Sequence, residues 1–137
     1  MNAPHEPTYF IDRDLGLRFA EVLKSAGLRI ERADDHFRND TADEIWLPDV
    51  ASRGWLAVTR DARIRYSPLA LRALMTSGAR LFVIVGKLTA SEAIEVFLDH
   101  RTQIERLARD EPAAFIAKVR RDGVHIWQRF RDWERAN

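Results

Sequence analysis

The chain has 137 residues, of which 46% are hydrophobic and 31% charged, and its net charge is +1. That is the size and make-up of one globular domain, and the total charge does not by itself demand a nucleic-acid partner, although a local basic patch remains open. No apolar run is long enough to span a membrane, the polar, proline-broken residues 1–7 do not read as a signal peptide, and the absence of cysteine excludes disulfides and thiolate metal sites. A cytoplasmic protein with no membrane partner is the expectation.

Residues 8–12 predict a buried strand that stops abruptly at Asp12. Leu15, Phe19, Val22, Leu23 and Ala26 then recur at helical spacing until Gly27. A short strand at 28–33 and a polar loop at 34–40 follow. Thr41-Ala42-Asp43-Glu44 has the form of a capping box opening a helix with Ile45, Trp46 and Leu47 as its apolar patch; Pro48 interrupts that helix or begins its second half, and Gly54 ends it. Residues 55–59 are a continuous apolar run, as in a strand buried on both faces, and end at Arg60-Asp61, repeating the pattern of the first strand. Ser67-Pro68 starts another helix that Gly78 closes. Residues 80–86 are the clearest strand. Thr89-Ala90-Ser91-Glu92 is a second capping box, opening one long helix with Ile94, Phe97, Leu98, Ile104 and Leu107 on a shared face. Beyond Pro112, residues 115–120 and 124–130 read as a hairpin around Asp122-Gly123. The alternation predicts an α/β fold with a mostly parallel sheet covered on both sides and an antiparallel addition at the end. A single domain over 1–137 is expected, with its core at about 8–110 and an extension at about 112–137.

In such a sheet ligands bind beyond the carboxyl ends of the strands, so Asp12 and Asp61 face a site rather than the core. Neighbouring strands lie about 4.8 Å apart, which brings two such carboxylates within reach of one ion. Asp43, in the first turn of the preceding helix, is a third. An oxygen-rich set without thiolates suits Mg²⁺ or Mn²⁺, and such an ion supports phosphodiester hydrolysis. The same acids equally suit helix capping. Glu44 has a structural task in the capping box, which favours Asp43 on this helix; Asp14 is either a ligand or, the preferred reading, a first-turn acid complementing the helix dipole. His36, beside Asp35 in a polar loop, reads as neither base nor ligand. Arg13, Arg60, Arg63 and Arg65 flank the acids and are candidates for phosphate contact, since bare carboxylates repel a polyanion. The end of the chain mixes Arg120, Arg121, Trp127, Arg129, Phe130, Arg131 and Trp133, which suits an RNA platform, simple packing of the hairpin, or a dimer or partner surface.

Phe10-Ile11-Asp12 with Leu15-Gly16, then Asp35-His36-Phe37, Thr41 to Leu47, Gly54-Trp55, and Thr59-Arg60-Asp61-Ala62-Arg63-Ile64 resemble the PIN-like domains of the VapC toxin type. The resemblance runs from about residue 8 to about 120. It implies a PIN-like three-layer α/β/α sandwich and a metal-dependent ribonuclease, commonly the toxin of a toxin–antitoxin pair, with RNA as substrate and an antitoxin protein as partner. Carried onto this sequence, the catalytic and metal-holding acids are Asp12, Asp43 and Asp61, with Glu44 a fourth candidate; Arg13, Arg60 and Arg65 are the candidate substrate contacts. A late fourth acid of the usual spacing is not evident, because the chain turns basic after Asp61. Two other readings stay open: a non-catalytic PIN-like module that binds RNA or protein, and a phosphatase of the haloacid-dehalogenase type, suggested by Asp12-Arg13-Asp14 but not by the Leu15-Gly16 that follows.

Overall fold

The computed structural model describes residues 6–137, so most of the polar start lies outside the described residues. Among them, six strands form one sheet in the order β2-β1-β3-β4-β5-β6: β1 (Thr8–Ile11), β2 (Arg29–Arg32), β3 (Leu56–Thr59), β4 (Arg80–Ile84), β5 (Phe115–Arg120) and β6 (Gly123–Arg129). All neighbours pair in parallel except β5 and β6, which form the expected antiparallel hairpin. The helices are α1 (Gly16–Ser25), α2 (Asp43–Ser52), α3 (Pro68–Ser77), α4 (Ala90–Asp99), α5 (Arg101–Asp110) and α6 (Phe130–Ala136).

Alternation along the strands sorts side chains onto two faces. Tyr9, Ile11, Val58, Phe82, Ile84 and Phe115 join Phe19, Leu23, Phe97 and Ile104 of α1, α4 and α5 on one face. Phe10, Ala57, Leu81, Val83 and Ile116 join Trp46, Leu47, Leu74 and Met75 of α2 and α3 on the other. This is the three-layer α/β/α arrangement. The edge strand β2 (Arg-Ile-Glu-Arg) carries charge and is only partly covered, which suits a strand with one free side.

Four local expectations are corrected. The box at Thr41 does not form: Ala42 takes the extended N-cap conformation (φ −68°, ψ 152°) with no side-chain cap, so Glu44 is the second helical residue and too early to reach back to Thr41. Asp43 thereby becomes the first residue of α2. Pro48 neither interrupts that helix nor restarts it, because Trp46, Leu47 and Val50 around it are buried and hold the turn against the sheet. The long helix after Thr89 is two, broken at His100 (φ −109°, ψ 13°), with Ile94, Phe97 and Ile104 buried and Leu98 and Leu107 packed beside them. The hairpin ends at Arg129, and Phe130 opens α6, on which Phe130 and Trp133 pack against the second face.

The box at Thr89 does form, with Thr89 Oγ1 accepting from the Glu92 amide (3.1 Å) and Glu92 Oε1 accepting from the Thr89 amide (2.8 Å). Thr89→Ala is therefore expected to lower stability in urea unfolding by about 1 kcal/mol. Thr41→Ala, which removes no cap, should stay within about 0.5 kcal/mol of the wild type.

Candidate active site

The carboxyl ends of β1 and β3 lie side by side, since Ile11 is in register with Val58 and the Asp12 amide donates to the Val58 carbonyl (3.0 Å). Thr59, the last residue of β3, is fully buried, and its hydroxyl is the hub of the site. It lies 2.8 Å from Asp12 Oδ2 and 3.2 Å from Asp14 Oδ2, and it accepts the Asp61 amide at 3.0 Å. Its single proton serves one carboxylate at a time. Asp12 Oδ1 also accepts the Arg13 amide (2.8 Å), and Asp14 Oδ2 the Arg60 amide (3.1 Å).

Asp43 arrives from α2. Trp46 stacks on Phe10 of β1 (centroids 5.3 Å apart, 28° between planes), and one turn earlier Asp43 Oδ1 accepts from the Trp46 indole N–H at 2.9 Å. A core contact thus fixes the azimuth of the helix and sets its first carboxylate over the end of the sheet. Asp61 caps the 3₁₀ turn Ala62–Tyr66 through the Arg63 amide (3.0 Å), while the Arg63 guanidinium grips it with Nε at 2.9 Å and Nη2 at 3.1 Å.

Asp12, Asp14, Asp43 and Asp61 line one open cleft of about 660 Å³, with Arg13, Arg38, Arg60, Arg63, Thr41 and Asn39 on its walls. The expected acids Asp12, Asp43 and Asp61 are brought together. Glu44 is not on the lining, although its charge reaches Asp43. Asp14 corrects the preferred reading in part: it is the first-turn acid of the short 3₁₀ helix Arg13–Leu15, ahead of α1, which begins at Gly16, and it also lines the cleft. Thr59 enters the sequence reading only as the first residue of the Thr59-to-Ile64 motif, with no role of its own; its position two residues before Asp61, at a strand end, is the available signal. Arg38, which lines the cleft with 87% of its side chain exposed, was hidden in what reads as an ordinary polar loop.

The arginines are mostly engaged. Arg13 binds Asp34 (2.6 Å) and the Phe37 carbonyl (3.1 Å), and Arg60 straps down the loop after β4 through the carbonyls of Leu88 (3.1 Å) and Gly86 (3.0 Å). Arg65 lies outside the cleft, among Tyr66 and Trp127. His36 pairs with Glu31 at 2.6 Å beside Trp55, away from the cleft lining.

This leaves excess negative charge around Asp12, Asp14 and Asp43. Partial burial, then the charge of Asp12, pushes the Asp14 carboxyl up to about 6 against the pull of the Arg60 amide and Thr59; Asp61 adds a smaller push. Asp14 is exposed as a residue, yet its carboxylate is held down over the sheet end, where solvent still screens part of its interactions. Asp43 is raised by burial in the first place, then by Asp12, Asp61 and Glu44, with the Trp46 N–H opposing. Asp61 is lowered, chiefly by the Arg63 side chain. Carboxylates that raise one another's pKa form a place where a cation is welcome.

A family model described as "PIN like domain" matches residues 7–86. The chain belongs to the PIN-like domain family. It is also 29% identical over 116 residues to the Mycobacterium tuberculosis (strain ATCC 25618 / H37Rv) protein named "Putative ribonuclease VapC45", an alignment covering 80% of this chain and 83% of that one. No solved structure matches the chain. PIN-like membership accords with the parallel sheet and with both helical layers described above.

The raised Asp14 carboxyl keeps its proton in the folded chain at pH values where the unfolded chain has released it. Its contribution to stability should therefore fall as pH rises from the ordinary 3.8 toward about 6 and level off above, and Asp14→Asn should flatten the profile over that range, leaving the share of the likewise raised Asp43. Urea unfolding of both proteins in metal-free buffer across that range checks this; parallel profiles would contradict it.

Proposed function

We propose that this PIN-like chain is a metal-dependent ribonuclease, acting in the cytoplasm as one folded unit and as the toxin partner of an antitoxin protein, with Asp12, Asp43 and Asp61 as its catalytic acids. The observation that carries the reading is the gathering of four carboxylates from β1, the turn after it, α2 and the end of β3 around one cleft without a cation among Asp12, Asp14 and Asp43. The family and the name of the Mycobacterium relative give the chemistry its direction.

The donor set fits Mg²⁺ or Mn²⁺, being all carboxylate oxygen with no sulfur. Among the described residues, no three acidic or histidine side chains stand ready-made around an ion. Asp61 is held by Arg63 through both of its oxygens, whereas Asp43 is held by the Trp46 indole through Oδ1 alone. Arg63 is a side chain 91% exposed, so little holds it once a divalent charge competes for Asp61. Glu44, off the lining but next to Asp43, is the fourth candidate ligand.

When bound, the ion supplies Lewis acidity toward a phosphoryl oxygen and an acidified water. The protein's own part is positional. Thr59 holds Asp12 and Asp14 at the sheet end and fixes the Asp61 amide; Trp46 orients Asp43. Asp14, whose carboxyl is poised near neutrality, can hold or accept a proton at the floor of the cleft. Arg13, Arg38 and Arg60 give the cleft a positive rim that offsets the repulsion between acids and phosphates, and Arg65 contributes from farther out. The capture of Asp61 by Arg63 favours one second reading, an inert PIN-like module that binds RNA or protein without cutting. The phosphatase reading has no support from the family match.

Purified protein should cleave a mixed RNA pool with Mn²⁺ or Mg²⁺ and stop on addition of EDTA. Asp12→Asn and Asp61→Asn should each lower the rate at least about a hundredfold while remaining folded. Cleavage that survives chelation, or persists in Asp12→Asn, would overturn the assignment.

A further inference from the structure

Asp61 opens the 3₁₀ turn Ala62–Tyr66, and Tyr66 closes it with 71% of its surface exposed, the most open of the large apolar side chains among the described residues. At about 2 Å of rise per residue, five residues carry the chain about 10 Å from the acids. Tyr66 does not stand alone. Its ring meets Trp127 of β6 edge to face, with centroids 5.8 Å apart and planes at 78°. The Arg65 guanidinium lies 5.5 Å from the Tyr66 centroid and 6.0 Å from that of Trp127, and the Lys118 ammonium of β5 stands 4.2 Å over Trp127.

Among the described residues neither cation has a carboxylate partner, and Arg65 Nε is buried without any hydrogen bond. The adjoining groove, bounded by Leu69, Arg72 and Trp133, has Asp132 as its acid, and that carboxylate faces Arg131 at 3.9 Å. Packing accounts for Trp127, which rests on the second face of the sheet. It does not account for the outward ring of Tyr66 or for two cations held on aromatic faces instead of on acids.

We infer that Tyr66, backed by Trp127 and flanked by Arg65 and Lys118, is a stacking subsite for an unpaired base of single-stranded RNA. This deepens the nuclease reading and rests on it. An exposed aromatic face takes any base by stacking, and cations without acid partners take the phosphates on either side of it. A separation of about 10 Å is about three stacked nucleotides at about 3.4 Å each, a span that a short single strand covers. Bases in a duplex present no free face, so the subsite selects single strands or loops. A protein partner is the less favoured occupant, because the patch pairs its apolar area with uncompensated positive charge.

The test is fluorescence anisotropy of the full chain in EDTA with a labelled single-stranded RNA of mixed sequence and with an RNA duplex of the same composition, beside Mn²⁺-dependent cleavage of the unlabelled strand. Tyr66 is exposed, so its replacement leaves the fold intact; Tyr66→Phe keeps the ring as the conservative control. The expected result is single-strand binding weakened about tenfold or more in Tyr66→Ala, near wild type in Tyr66→Phe, and duplex binding unmoved by either. Wild-type affinity in Tyr66→Ala, or equal loss on the duplex, overturns the subsite while wild-type cleavage leaves the nuclease reading standing. A Tyr66→Ala change confined to oligomeric state in sedimentation also overturns it, in favour of a protein surface. If the wild type neither binds nor cleaves single-stranded RNA, the subsite and the nuclease reading beneath it both fail.

Discussion

Carboxylates do not gather at the end of a sheet unless other forces hold them there, because each resists losing its water and repels its neighbours. In this protein the holding is done by a buried threonine. The Thr59 hydroxyl touches Asp12 and Asp14 and receives the Asp61 amide, tying the ends of β1 and β3 and the two turns that leave them into one unit. Two side chains of opposite character complete it. Trp46 pins α2 to Phe10 through the core and presents Asp43 to the same point, and Arg63 neutralises Asp61 from the solvent side. The site is thus held by packing from below and by a screened, easily broken ion pair from above.

That asymmetry has a functional meaning. The buried part, made of backbone register, Thr59 and the Phe10–Trp46 stack, is rigid and sets where the oxygens can be. The outer part, Arg63 and the mutual repulsion that raises Asp14 and Asp43, is what a divalent cation would change. Ion binding would relieve the repulsion that raises Asp14 and Asp43 and would release Arg63 toward a phosphate. The same residues thus hold the cleft together and, on the proposed reading, would be free to meet an ion and a phosphate.

Much of the fold was legible in the sequence because its signals were local. The continuous apolar runs of β3 and β4, Ser67-Pro68 before α3, the box at Thr89 and the turn at Asp122-Gly123 each specify their own geometry. The failures share a different cause. Thr41 and Glu44 have the spacing of a capping box, but α2 starts one residue later, with Trp46 stacked on Phe10 in a contact between helix and sheet that is distant in sequence. The break at His100 and the start of α6 at Phe130 likewise answer to what each helix packs upon. For the site, Asp12 and Asp61 could be picked out because each follows an apolar strand directly. Asp14 could be named as a ligand but ranked behind its look of a dipole-compensating acid, and Thr59 looks like a strand residue; the parallel register of β1 and β3 shows that they meet.

On the proposed reading these acids form one ion site and not merely one acidic surface. Anomalous diffraction from crystals soaked in Mn²⁺ distinguishes the two. A single ion site gives a peak between Asp12, Asp43 and Asp61, with the Arg63 guanidinium withdrawn from Asp61. A peak elsewhere, or none at these residues with the Arg63–Asp61 pair intact, would contradict it.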